Sequence, residues 1–283
     1  MYYYIIDPSK LSQKSFDRVQ NELYSCLAEY RISGETSRVT SLRTIPQLTE
    51  LAFSHGVKTL VAVGNDETLQ EVISAVNGRE VTIGYIPLFQ TELAAILGLK
   101  SIDGACKTIA ARRVEMLDTG VAGGVPFLSR LTFGLSSDAD FGFLGMGLLG
   151  KLGDPPAFEV KFSADGKYHG SLQVIAGAIL NTRDARDGAC RGEGIANPTD
   201  GMFDVLLLPT LTRYQIFQNR RHIQEGCFER VPGSSLLHLK RLEILSPEGL
   251  PLKSGNKAVT KTPAIVEVKP KTLKIIVGRD RTF

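Results

Sequence analysis

The stretch KTLVAVGNDETLQEVISAV, Lys58 to Val76, decides the fold. Lys58 to Val63 is a short run of aliphatic and β-branched side chains, the signature of a strand buried on both faces. Gly64 ends the run and Gly64 to Thr68 reads as a turn. Leu69, Val72, Ile73 and Val76 then recur at spacings of three and four, on one face of a short helix. Val81 to Ile86 is another apolar run, so Lys58 to Ile86 forms one βαβ unit, and a βαβ unit requires a parallel sheet.

The same alternation extends towards the N-terminus. Tyr2 to Ile6 reads as a first strand closed by Asp7-Pro8, and Ser12 as the N-cap of a helix carrying Phe16, Val19, Leu23 and Leu27 on one face. An extended segment near Ser33 to Leu42 and a helix from Pro46 to His55 precede the central unit. Leu93 to Leu97 and Cys106 to Ala111 read as further helices, which puts the end of the first domain near residue 108. From Val114 onward Gly, Pro and Asn-Pro signals punctuate short apolar runs: Ala157 to Phe162, Ser171 to Leu180, Phe203 to Leu208, Leu237 to Ile244, Ala264 to Val268 and Leu273 to Val277. Asp165-Gly166 is a tight-hairpin signal, and one helix, Arg213 to Gln224, interrupts the series. The expectation is an open parallel α/β nucleotide-binding domain over 1–108. An antiparallel, sandwich-like β domain over 109–283 follows, its last strands able to pack back on the first domain.

With 283 residues, two domains are the natural division, and 43% hydrophobic against 22% charged residues excludes disordered, collagen-like and disulfide-scaffold classes. MYYYIIDPSK has no basic region before a long apolar run, so no signal peptide is expected. Runs such as Leu172 to Leu180 are too short to span a bilayer. Cys26, Cys106, Cys190 and Cys227 form no C-x-x-C pair, which indicates neither a zinc site nor a disulfide framework and suits a cytoplasmic location. The net charge of +3 divides unevenly: residues 211–283 hold 14 basic against 6 acidic side chains, and the preceding residues are net negative. Such a basic end favours anionic partners, including a membrane surface met peripherally; solvated strand faces are the plainer alternative. Nothing in the Arg213 to Gln224 helix argues for nucleic acid, and the oligomeric state is open, a homodimer included.

Two loops carry the chemistry. Amides at a helix N-terminus lack intrahelical partners and favour an anion, phosphate above all. Asp66 or Thr68 could equally cap those amides. The strand ending at Ile86-Pro87 delivers a second loop, Pro87 to Glu92, to the same crevice at the carboxyl ends of the strands.

On these residues the chain resembles the diacylglycerol kinase catalytic-domain family, with its sphingosine kinases and YegS-like bacterial lipid kinases. The family's GGDGT loop is matched by Gly64, Asn65, Asp66, Glu67 and Thr68, followed by Gln70, Glu71 and Val72. Its I-P-x-G-T-x-N-D-F-A motif is matched by Ile86 to Ala94, with Leu97-Gly98 following. Met116 to Gly120, around Asp118, resembles the aspartate strand before the second domain, and Val125 to Leu128 the aromatic-rich segment after it. Ala196 to Val205 resembles Ala-x-Pro-x-Asp-Gly-x-Leu-Asp-Val, and Thr262 to Val277 the closing strands.

The resemblance implies an NAD kinase/diacylglycerol kinase-like nucleotide domain and ATP-dependent phosphorylation of a lipid hydroxyl in phospholipid metabolism. It implies ATP and Mg²⁺ as cofactors, nucleotide contacts from Thr40, Gly64, Asn65, Asp66, Glu67 and Thr68, and metal contacts from Asp66 and Asp200. Departures point the other way. Asn65 and Glu67 replace both inner glycines of the first loop, and Glu67 brings a carboxylate where a triphosphate would lie. Phe89, Gln90 and Thr91 replace Gly-Thr-x in the second loop. The acidic base motif is Ser254-Gly255-Asn256, without a carboxylate, so the catalytic base is unassigned; losing such a base costs about 10² to 10⁴ in rate. The residues therefore support an impaired or altered lipid kinase and, nearly equally, a non-catalytic pseudokinase that binds nucleotide or a lipid phosphate. Phosphorylation of a soluble acceptor is a further alternative.

Overall fold

Residues 1–135, 157–182, 196–224, 227–255 and 257–283 are described by a computed structural model. The chain folds as two compact units, Met1–Thr119 with Pro270–Phe283, and Gly120–Lys269. Residue 108, where the sequence expectation ends the first domain, falls inside the last helix of the first unit.

The first unit alternates strand and helix. In order come β1 (Tyr2–Ile6), α1 (Gln13–Glu29), β2 (Glu35–Arg38), α2 (Ile45–Ser54), β3 (Thr59–Gly64), α3 (Asp66–Val76), β4 (Thr82–Pro87), α4 (Glu92–Ile96) and α5 (Ile102–Ala111). β4, β3, β1 and β2 lie side by side in that order and all pair parallel. β3 and β4 are buried along their whole length, as their unbroken apolar runs require. Phe16, Leu23 and Leu27 of α1, Leu48 and Ala52 of α2, and Leu69, Val72 and Ile73 of α3 supply the covering faces. β2 is only four residues long, because the segment beyond Arg38 folds back through a bridge between Thr40 and Arg43.

After β5 (Val114–Ala122), the second unit comprises β6 (Val125–Phe127), β7 (Arg130–Gly134), β8 (Phe158–Ala164), β9 (Tyr168–Leu180), β10 (Phe203–Pro209), α6 (Arg213–Gln218), α7 (Arg220–Gln224), β11 (Ser235–Leu239), β12 (Arg241–Ser246), β13 (Pro251–Ser254) and β14 (Lys257–Lys261). β15 (Ala264–Ile276) begins in this unit and ends in the first, where Ile275 pairs parallel with Ile83 of β4. The strand pairs inside the second unit are antiparallel. Asp165 and Gly166 both take positive φ, 52° and 66°, and the Lys167 N–H closes the turn on the Ala164 carbonyl at 3.0 Å, so a three-residue loop joins β8 to β9.

Four expectations need correcting. The helix expected over Arg213 to Gln224 is two short helices meeting at Asn219, and the strand expected over Leu237 to Ile244 breaks at Lys240 into β11 and β12. The two closing strands are one, β15. Its irregularity at Lys271, φ 54°, stays within the strand because the Lys271 N–H donates to the buried Asp118 carboxylate at 2.7 Å. Cys227 is disulfide-bonded, although sequence spacing indicated no disulfide; separation along a chain says little about which thiols meet. Cys26 and Cys106 are free and buried, and Cys190 lies outside the described residues. Among the described residues no helix is long and apolar enough to cross a membrane.

Candidate functional site

A parallel sheet brings every carboxyl end to one edge, so the loops after β1, β2, β3 and β4 share that edge. The hub there is Thr68. Its hydroxyl lies 2.8 Å from Asp7 Oδ2 and 3.0 Å from Asn65 Oδ1, so its proton serves one of the two at a time, and it accepts from the Asn65 N–H at 3.2 Å. Asn65 Oδ1 accepts the Thr68 N–H at 2.9 Å, completing a reciprocal cap on α3. Asp7 is held from β1's side: its N–H donates to the Val63 carbonyl at 2.8 Å, and Oδ1 accepts the Ser9 N–H at 2.9 Å.

Gly64 is required by space. A Cβ there would lie 2.3 Å from Thr68 Oγ1, so Gly64→Ala must push the hydroxyl out of the Asp7–Asn65 bridge. We expect a loss of about 1–3 kcal/mol, measured by urea denaturation, and only a minor recovery in the Gly64→Ala/Thr68→Ser double variant, because the nearest atom, Oγ1, is retained. Ser keeps the hydroxyl and removes a methyl that is also within reach of the new Cβ.

Asp66 turns away from Thr68 and ties α3 to the next loop. Oδ1 accepts from the Tyr85 hydroxyl at 3.1 Å and Oδ2 from the Leu93 N–H at 3.1 Å. Burial pushes its carboxyl above the ordinary aspartate range against the opposing pull of Thr91, Leu93 and Tyr85, and burial pushes the Tyr85 phenol up as well. Thr91 caps α4 by accepting the Ala94 N–H at 3.2 Å. Glu67 faces solvent and meets Lys10 at 3.4 Å; the pair is exposed and worth little in stability. Phe89 and Gln90 are exposed on the β4–α4 loop. Thr40 is exposed after β2, where its hydroxyl accepts from the Arg43 N–H at 3.1 Å and the Leu42 N–H at 3.3 Å. The edge thus gathers Gly64, Asn65, Glu67, Thr68 and Thr40 on its loops, with Asp66 directed into the α3–β4–α4 packing.

Asp200 is remote in sequence and closes a local turn in the second unit, accepting the Met202 N–H at 2.9 Å. Ser254 ends β13, Gly255 has φ 57°, and Asn256 lies outside the described residues. Asp7, Lys10 and Tyr85 were missed by motif reading. The available signal was Asp7-Pro8 directly after the first strand, since a polar residue at that place in a parallel sheet reaches the crevice. Asp204, on β10 of the second unit, is a buried acid with a titratable neighbour. Buried beside exposed His238, its Oδ1 lies 2.7 Å from the imidazole Nδ1, and its other oxygen accepts the Ala196 N–H.

A resident Mg²⁺ does not fit these donors. Among the described residues no three His, Cys, Asp or Glu side chains converge to hold a metal; Asp66 accepts from protein donors through both oxygens, and Asp7 through Oδ1 and, in turn with Asn65, through Oδ2 from the Thr68 hydroxyl. The N-terminus of α3 is likewise answered from within. Asn65 caps it, and Asp66 and Glu67 place negative charge on its first turn, where an anion would otherwise be favoured.

No family model matches the chain. An uncharacterised protein of Synechocystis sp. is 21% identical over 266 residues, covering 88% of this chain and 61% of that protein, so the chain spans about three fifths of the length of the curated relative it matches. A crystal structure of a protein provisionally described as a diacylglycerol kinase, from Bacillus anthracis, aligns with a TM-score of 0.79 at 17% identity, covering 99% of this chain and 96% of that one. A second structure under the same provisional description and from the same organism gives 0.80 at 17% identity, covering 99% and 98%. An NAD kinase from Archaeoglobus fulgidus, solved in complex with ATP, gives 0.59 at 13% identity, covering 99% and 95%. These likenesses establish the fold: an α/β domain of the kind found in diacylglycerol and NAD kinase structures, followed by a β-rich domain.

Proposed function

We propose that this chain is a nucleotide-binding protein of the diacylglycerol kinase fold in which phosphoryl transfer to a lipid hydroxyl is slow or absent. The observation that carries this reading is the orientation of Asp66. The one acidic residue retained at the motif position expected to meet phosphate and metal spends its carboxylate on Tyr85 and Leu93. Ser254 and Gly255, at the position expected to hold the base, supply no carboxylate either. In phosphoryl transfer the protein's contribution is chiefly positioning and charge stabilisation; on these loops Lys10 is paired with Glu67, and Arg43, exposed beside Thr40, is a further cation. Any Mg²⁺ in this reading arrives with the nucleotide phosphates and is not held by a protein carboxylate cluster. Thr68, Asp7 and Asn65 hold the β1 and β3 loops in place.

The second reading is an active lipid kinase, favoured by alignment over 99% of the chain with the Bacillus anthracis structures. One experiment separates the two. ATP labelled at the γ-phosphate is incubated with Mg²⁺ and a panel of lipids including diacylglycerol, in parallel with thermal unfolding with and without nucleotide. The proposal expects a raised unfolding midpoint with nucleotide and transfer at least about 10²-fold below a base-containing kinase. Robust transfer by the wild-type chain that the folded Asp66→Asn variant loses would establish the kinase reading. No shift with ATP, ADP or AMP would overturn nucleotide binding itself.

A further inference from the structure

α6 and α7 present side chains that the nucleotide site does not explain. Ile216 and Ile223 are buried against Leu211, Phe228 and Val231, which fixes the rotation of both helices. The rest of the α6 surface faces solvent, yet it carries Tyr214, 68% exposed, and Phe217, 56% exposed. These two lie three residues apart on one helix face. The Arg220 guanidinium sits 4.8 Å from the centre of the Phe217 ring. Arg213 to Gln224 contains three arginines and no carboxylate. Arg213 and Arg221 have partners of their own, so the argument rests on Tyr214, Phe217 and Arg220.

Single exposed apolar residues are ordinary, but an adjacent aromatic pair with a cation stacked on it is a defined chemical surface. Tyrosine and phenylalanine rings partition into the headgroup region of a bilayer, and a guanidinium beside them pairs with lipid phosphate. The sign of the charge selects an anionic membrane over a neutral one, and the basic excess of residues 211–269 within the same unit, 10 against 5, agrees with it. We infer that the α6–α7 face docks the chain on an anionic bilayer surface, with Tyr214 and Phe217 at headgroup depth and Arg220 on lipid phosphate. This inference goes beyond the nucleotide reading and does not depend on it.

The test is co-sedimentation of the full chain with phosphatidylcholine vesicles, with and without about 30% phosphatidylglycerol. Binding is expected to the anionic vesicles only and to weaken when salt is raised from about 0.1 M to 0.5 M. Tyr214→Ser/Phe217→Ser is expected to reduce the partition coefficient at least about tenfold, and Arg220→Gln about fivefold. All three side chains are exposed, so thermal midpoints should stay at the wild-type value; if the aromatic double variant fails to fold, Arg220→Gln decides. Equal binding to both vesicle types, or wild-type binding by the variants, would overturn the assignment. Displacement by millimolar inorganic phosphate, or tighter binding to an RNA oligonucleotide with the same residue dependence, would overturn it in favour of a free phosphate or a nucleic acid.

Discussion

Asp66→Ala is expected to lower the unfolding free energy by about 2–4 kcal/mol. It strands the Leu93 N–H and the Tyr85 hydroxyl, and a buried donor left unsatisfied costs about 1–3 kcal/mol. The change should also loosen the start of α4, since Leu93 lies in its first turn. Equilibrium urea denaturation gives the size, and amide exchange at Leu93 and Ala94 gives the location. If both stay at the wild-type value, the carboxylate is not the tie described above.

Asp66 also has a pH signature. Burial raises its folded-state value above the ordinary 3.8, so the folded chain binds the proton more tightly than the unfolded chain does. The associated stability is fully present below 3.8, is lost as pH rises through the folded-state value, and stays level beyond it. This slope is opposite to that of a salt-bridged aspartate. The Asp66→Asn variant cannot titrate at this position, so the unfolding free energy of the wild type minus that of the variant should fall as pH rises from about 3.5. A difference that grows with pH would show the carboxylate to be stabilised, not strained, by its surroundings.

Phe133→Ala should cost the second unit about 3–5 kcal/mol. Phe133 is 1% exposed and pairs across the sheet with Gly177. Its ring covers the glycine so closely that a Cβ on residue 177 would lie 2.1 Å from the ring. Gly177→Ala therefore overpacks the same place and should cost about 1–3 kcal/mol or more. The double variant Phe133→Ala/Gly177→Ala should be more stable than the sum of the single effects predicts, because the new methyl occupies part of the space the ring leaves. Additivity would mean that the two residues are not in contact. Gly120 and Phe127 repeat the arrangement, with a Cβ-to-ring separation of 2.2 Å.

The parallel α/β domain was legible because its strands are continuous apolar runs and its helices keep a three-and-four spacing, both enforced by burial. The βαβ unit over Lys58 to Ile86, the hairpin at Asp165-Gly166 and the change to β structure after Val114 follow from local chemistry alone. Boundaries were less legible where a distant group intervenes. β15 continues across Lys271 because Asp118, 153 positions away, receives its N–H, and no local pattern announces that partner. Asn219 and Lys240 break their elements in ways that composition does not mark.

At the candidate site the sequence determined which residue types stand on the loops after β2, β3 and β4, because motif order and strand ends are local properties. It could not say where each side chain points. Only the tertiary structure decided that Thr68 bridges Asp7 and Asn65 while Asp66 turns towards Tyr85 and Leu93. It likewise decided that Tyr214 and Phe217 face solvent while Ile216 and Ile223 are buried. Spacing assigns residues to faces of a helix, but which face is covered depends on what the rest of the chain packs against it.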